Sequence, residues 1–395
     1  MPAVTRQVGL TERRARLARR HHLAAVCRAA GPVEVARDLV ALHATDPATV
    51  YLAAAARLQE PRIDLVERAL YDDRVLLRML GMRRTMFVVP VELAPVVQAA
   101  CTRAIAARER RRQVDLLRGA ELGTDVETWL AEVEGSTIRA LAARGLATAA
   151  ELAAAEPRLR QQVLLAAGTS YEGWQNLTWR VLMLLSAEGR IVRGRPRGSW
   201  TSSQYRWSLM EGWLPDGMPD LPPDGARVEL VRAWLRAFGP GTVADLRWWT
   251  GCTATEVARA LAEVGPVEVA LDGETGLLLP EDAEPVDGVE PWVALLPALD
   301  PTVMGWTRRG WFLGDHGPAL FDRSGNPGPT VWCDGRIVGG WAQRPDGEIV
   351  FRLLEDVGAE ASAAVEAEAE RLGRWFGTVR VTPRFRTPLE RELTT

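Results

Sequence analysis

The chain has 395 residues, 47% of them apolar and 25% charged, enough for roughly two to four ordinary cores and unlike a disordered or fibrous protein. The net charge of −3 conceals a gradient: residues 1–120 carry +9 and residues 201–395 carry −12, so a polyanionic partner belongs to the front of the molecule. A signal-type N-terminus and an apolar run of about 18 residues are both missing, which excludes a membrane span and leads to the expectation of a cytoplasmic protein.

In chain order, TERRARLARRHHLA predicts a charged helix that packs as an arm, with His21 and His22 read as solvated. After Gly31-Pro32, the stretches PVEVARDLVALHA, ATVYLAAAARL and IDLVERALYDD have helical patterns broken by Pro or polar residues. RVLLRMLGMRRTMFVVP then reads as two β-type runs joined near Gly81, with Arg83 and Arg84 beside the turn. Three helices and a basic hairpin are the order of a winged helix, assigned to residues 1–120.

Inside this unit, LVALHATDP places Val35, Leu39 and Leu42 on one helical face, so His43, Thr45 and Asp46 fall where the helix ends. Asp46 before Pro47 is ordinary cap or turn chemistry. The same three side chains, within hydrogen-bonding reach of one another or of a shared water, also make a small active site.

The order of elements recurs. Over residues 121–222, STIRALAARG, ATAAELAAAE and NLTWRVLMLLSAEG read as helices, and RIVRGRPRGSWTSSQYRWS as a hairpin around a Gly-Arg-Pro-Arg-Gly loop. That wing carries Arg190, Arg193, Arg195 and Arg197 with Trp200 and Tyr205, and no acidic residue from Gly189 to Met210. Such interleaving of Arg, Gly and aromatics suits a phosphate backbone. Over residues 223–285, three more helices precede VEVALDGETGLLLP, whose wing is acidic at Asp272 and Glu274. Residues 286–395 change to short β-type runs (WVALLPALDP, GWFLG, PTVWCDGRIVGGWAQ, EIVFRLL, VRVTPRFRTPL) with one helix, AEASAAVEAEAERLGRWFG. Trp332 and Trp341 are expected in its core. The fold class is therefore mainly α with β, three tandem winged-helix units followed by an antiparallel β domain.

LVALHATDPATVYLAAAARL, RRTMFVVP, AEGRIVRGRPRGSWTSSQYRW, FGPGTVADLRWWTG, LLPALDPTVMGWTRR and FDRSGNPGPTVWCDGRIVGGW together resemble the winged-helix DNA glycosylases of the AlkZ/YcaQ kind, in family order across nearly the whole chain. The resemblance implies a DNA repair glycosylase that excises alkylated or crosslinked purines, a role suited to protecting a producer of a DNA-damaging metabolite. In that family the segment matching LHATDP reads Leu-Gln-x-Gln or Leu-Gln-x-Asp, whose two polar side chains hold the attacking water. Here His43 and Thr45 stand in those places. Asp46 would face the developing sugar cation. Arg83, Arg84, Arg190, Arg193, Arg195, Arg197 and Tyr205 would hold double-stranded DNA.

Every one of the 48 basic residues is Arg, so a Schiff-base mechanism has only the chain's N-terminal amine to use, and a monofunctional glycosylase is expected. Cys27, Cys101, Cys252 and Cys333 are scattered without ligand spacing, and His316 stands alone in a turn. No metal or cofactor and a monomeric state are expected. The competing reading is a non-catalytic winged-helix DNA-binding protein or regulator, and 15 Trp leave a small-molecule binder as a third.

Overall fold

The computed structural model describes residues 6–118, 125–165 and 173–395. The expected boundary between residues 120 and 121 lies outside them. After the arm α1 (Leu10–Arg20), a helix α2 (Pro32–Asp38) starts on Pro32 at its first position, where the missing N–H costs nothing. It does not run on to residue 42: Val40 takes φ 65°, a left-handed conformation that a β-branched residue tolerates only where packing forces it. The chain instead enters a two-residue strand β1 (Leu42–His43), then α3 (Pro47–Ala55), and α4 (Ile63–Glu67), which continues as a π-helical turn through Asp72.

The hairpin β2 (Leu76–Gly81) and β3 (Thr85–Pro90) follows, and the sheet order is β1-β3-β2. The solvated reading of the adjacent histidines does not hold. His21 is fully buried, with Nδ1 2.8 Å from Thr302 Oγ1, and His22 sits between the Cys27 carbonyl and Asp38. Helix pattern alone could not reveal that the arm's last turn is covered by residues about 280 positions away.

A long helical stretch, α5 (Ala94–Val97), a π-helical segment through Thr102 and α6 (Arg103–Arg118), leads to the second unit. There α7 (Val126–Arg144), β4 (Ala147–Thr148), α8 (Ala149–Ala155), α9 (Leu177–Ala187), β7 (Ile191–Pro196) and β8 (Tyr205–Leu209) repeat the order of the first, with sheet order β4-β8-β7. A hairpin, β5 (Gln162–Leu165) with β6 (Gly173–Asn176), is inserted before α9.

In the third, α10 (Pro223–Phe238), α11 (Val243–Thr250) and α12 (Ala254–Val264) precede β9 (Val267–Leu271) and β10 (Glu274–Leu278), with Gly241 bridging to Leu277 where the other units have their short strand. Thr242 with Asp245, and Thr253 with Glu256, form capping boxes that start α11 and α12.

The last segment builds a four-stranded antiparallel sheet from β11 (Val293–Leu296), β12 (Thr330–Cys333), β13 (Arg336–Gln343) and β14 (Ile349–Leu353), in that order. Between β11 and β12 lie the one-turn helices α13 (Gly310–Leu313) and α14 (Gly317–Leu320); α15 (Ala359–Phe376) and α16 (Pro388–Leu393) follow the sheet. Two β-type readings fail here. GWFLG is the helix α13, because Phe312 turns inward to stack on Trp332 at 5.3 Å. VRVTPRFRTPL forms no strand, and its backbone is spent instead on holding residue 46, as described below. Trp332 and Trp341 are core, as expected.

One apolar core joins the first unit, the third and the C-terminal sheet, whereas the second unit has a core of its own around Leu130, Leu141, Leu182 and Trp207. A fully buried bidentate pair, Arg57 Nη1 and Nη2 to Asp300 at 2.9 and 2.6 Å, clamps α3's end to the segment after β11.

Candidate active site

β1 is the edge strand of the first sheet and positions the candidate residues. His43 pairs with Phe87, and Ala44 N donates to Met86 O at 2.8 Å. Period-two alternation therefore puts His43 on the face of Phe87 and Leu42 on the opposite one. The His43 ring lies edge-on to Phe87, centroids 5.5 Å apart, and is buried, with Nδ1 lacking a partner among the described residues. Burial, and after it the positive charge of Arg83, pull its pKa from the usual 6.5 down to about 3. The imidazole is thus neutral at physiological pH and keeps one ring nitrogen as an acceptor.

Asp46 is taken up differently. Its Oδ1 accepts from Ala48 N at 3.1 Å, capping α3, and its Oδ2 accepts from Arg384 N at 2.9 Å. Arg384 Nη1 also donates to the Thr45 carbonyl at 3.4 Å. His43 makes no direct hydrogen bond to Thr45 or Asp46 among the described residues. The strand ends at His43, whose ring packs on Phe87, while the Asp46 carboxylate turns to the helix start and the C-terminal segment.

The arginines expected at the DNA separate into classes. Arg83 lies over the Trp248 ring at 3.9 Å, and burial lowers its pKa to about 10. Arg84 is exposed and paired with Glu109 at 2.7 Å. Arg83 and Arg84 both take φ near +54 to +60° in the β2–β3 turn, which holds Arg83 against Gly251 at the end of α11.

In the second unit, Arg190 contacts Glu134 at 3.3 Å and Arg195 is held by Glu67 at 2.8 Å and Asp72 at 2.9 Å. Arg195 is therefore a strut between the first two units. Arg193 lies over Tyr205 at 5.4 Å and Trp207 at 5.2 Å. Tyr205 is buried, with no partner for its hydroxyl among the described residues. Arg197 is exposed and unpaired among them. Trp200 leaves the wing to pack on Tyr51 and Trp375, so it is core.

Trp174 and Trp179 stand out instead as exposed aromatics, 65% and 53% accessible, on β6 and at the start of α9. Pattern reading placed Arg78 with Arg83 and Arg84 on the basic first wing, but it passed over Trp248, Arg309 and Arg384. Trp248 and Arg309 lie within stretches that carry the family resemblance, but nothing local marks where they meet. As for metals, among the described residues His22, Glu34 and Asp38 approach within 4.8 Å of one another, yet His22 Nε2 is already in direct contact with Asp38 at 2.8 Å. That distance leaves no room for a cation between the two.

A family model described as DNA glycosylase AlkZ-like matches residues 36–375. A protein of Streptomyces sahachiroi named interstrand DNA cross-link repair glycosylase is 28% identical over 225 residues, which are 54% of this chain and 58% of that protein. The chain thus spans little more than half the length of this curated relative. The solved structure of Streptomyces sahachiroi DNA glycosylase AlkZ superposes with a TM-score of 0.69 at 22% identity, covering 96% of this chain and 99% of the other. At that identity the likeness speaks for the fold.

Proposed function

The chain belongs to the AlkZ-like DNA glycosylase family, and from that premise we propose that it excises alkylated or crosslinked purines from double-stranded DNA by water attack on the N-glycosidic bond. The observation that carries this reading is His43: a neutral imidazole with an unpartnered nitrogen, at the end of β1, with Thr45 two residues on in the bend that follows, within the field of Arg83. A base alkylated to a cation departs neutral, so the enzyme needs little acid help and must chiefly position a water and stabilise an oxocarbenium-like sugar. His43 orients the water through its acceptor nitrogen, and Thr45 Oγ1 is the second hydrogen-bonding group; with the ring held neutral by burial and Arg83, the water's proton leaves to solvent after the bond to the cationic sugar forms. Asp46 contributes through its field, because both of its oxygens are already bound to backbone N–H groups.

We further read each helix, short strand, helix, helix, hairpin set as a winged helix, giving three, with domain limits near residues 120, 222 and 285. The common position of the short strand beside the last strand of each hairpin supports the reading. The front units, with their arginines, face the DNA. No described helix is long and apolar enough to cross a membrane.

One observation favours the non-catalytic alternative: Asp46 is fully engaged as a cap and tether, which is what a retained helix start requires. The two readings separate on base release. With duplex carrying 7-methylguanine, and separately a bulky interstrand crosslink, the protein should free the modified base. His43→Ala should slow release about 10²-fold or more while leaving DNA affinity nearly intact. Thr45→Val should cost less, since it removes one hydrogen bond and no charge. The double variant His43→Gln, Thr45→Gln should keep the activity. Wild type that releases nothing from either duplex, beside a double variant that does, would make this a binding protein.

A further inference from the structure

Two aromatic rings in this molecule each carry two arginines. Trp248 has Arg83 at 3.9 Å and Arg309 at 5.0 Å from its centroid; Tyr205 has Arg78 at 5.0 Å and Arg193 at 5.4 Å. None of these four arginines forms a salt bridge among the described residues, in contrast to the neighbouring Arg195 with its two carboxylates. The Nε atoms of Arg78, Arg83 and Arg193 are buried without a partner.

One carboxylate lies near each ring, and each is saturated. Asp245 accepts from Thr242, Thr307 N and Arg308 N, and Asp46 accepts from Ala48 N and Arg384 N. Burial lowers both Arg309 and Arg193 to about 10; Arg83 adds to the first shift, and Arg78 and Arg384 to the second. Two like charges crowded on one ring without a counterion form a site that lacks its anion.

Both rings are tied to β1, and from opposite faces of its sheet. Arg83 is the charge that His43 feels, on the Phe87 side. Arg78 shares its face with Val88 and Leu42, and its Nη1 donates to the Ala44 carbonyl at 3.1 Å. β1 is the edge strand of that sheet, and its residues are buried.

We propose that the Arg83–Trp248–Arg309 and Arg78–Tyr205–Arg193 cradles hold the two phosphodiesters flanking the nucleotide presented to His43. What lies at His43 rests on the glycosylase reading; the cradles rest on their own geometry. Arg78 is fully buried and acts as a positioning residue, linking the phosphate held by Arg193 to the Ala44 carbonyl between His43 and Thr45.

The test is affinity for duplexes that contain a tetrahydrofuran abasic analogue and, one at a time, a neutral methylphosphonate at each linkage around it, so that no chemistry is needed. Wild type should lose about tenfold or more at the two flanking linkages and little elsewhere. Arg309→Gln should become indifferent to one of these substitutions and Arg193→Gln to the other. Equal losses along the whole duplex, or variants that keep both sensitivities, overturn the proposal. So does inorganic phosphate at matched ionic strength if it raises the Tm of wild type and not of the variants, because the cradles would then serve a free anion. The wild-type pattern alone decides the matter if a variant fails to fold. Local interference without base release leaves the cradles standing and removes the glycosylase reading; base release without local interference does the reverse.

Discussion

At His43 the decisive quantity is the cost of charging a ring that has left water. Its pKa of about 3 means that the folded chain binds no proton there between roughly pH 4 and 8, while the unfolded chain binds one below about 6.5. The unfolded state therefore takes up more protons as pH falls, and stability declines with acid. Urea unfolding at pH 5 should show His43→Gln to be relatively less acid-sensitive than wild type by about 2 kcal/mol, the 1.5 pH units below the ordinary value. Base release should in turn show no His43 inflection between pH 5 and 8, read from rates under single turnover. An activity that collapses with a midpoint near 6.5 would show the ring to be solvated and ordinary. Where the His43 nitrogen is unpartnered, the Asp46 oxygens are committed to Ala48 N and Arg384 N, so what reads as a catalytic carboxylate in LHATDP is also the cap that starts α3.

At the scale of the element, the basic wing of the second unit divides by partner rather than by sequence. Arg193, Arg195 and Arg197 alternate with Gly and Pro, the first two on β7, which runs into the stretch expected as a loop, and Arg197 just beyond it, but Arg195 reaches back to Glu67 and Asp72 of the first unit. Only Arg193 and Arg197 are left for phosphate. In a salt titration of duplex affinity, Arg197→Ala should lower the slope by about 0.9, the value for one neutralised phosphate, and Arg195→Ala should leave it unchanged. A slope that falls equally for both would mean that Arg195 leaves its carboxylates when DNA binds. The repeated helix order and the hairpins were legible because apolar period and turn residues are local. The two-residue strands β1 and β4 were not, since two residues have no period; the left-handed Val40 that ends α2 carries no local signal either.

For the whole molecule, the core divides into a body made of the first unit, the third and the C-terminal sheet, and a second unit packed around its own interior. Arg57 and Asp300, both fully buried, pin that body across about 240 residues of chain, with Thr302 bridging to His21. Removing one partner leaves an uncompensated buried charge, so Asp300→Ala should destabilise the chain by about 3–5 kcal/mol in equilibrium denaturation. A loss under 1 kcal/mol would mean that water reaches Arg57 when its partner is gone.

The sequence by itself determined most of the helices and hairpins and their order, the charge gradient and the tryptophans of the last sheet, because spacing, turn chemistry and residue type are properties of neighbours; a water-holding role for His43 and Thr45 is what the family resemblance implies. Only the tertiary structure decided the protonation of His43, the engagement of Asp46, the loss of Arg195 to an inter-unit strut, and the meeting of Arg83 with Trp248 and Arg309. Those depend on desolvation and on partners up to 338 positions apart, such as Arg384 on Asp46, and a side chain's field and solvent exposure are set by what folds over it, whatever its place in the chain.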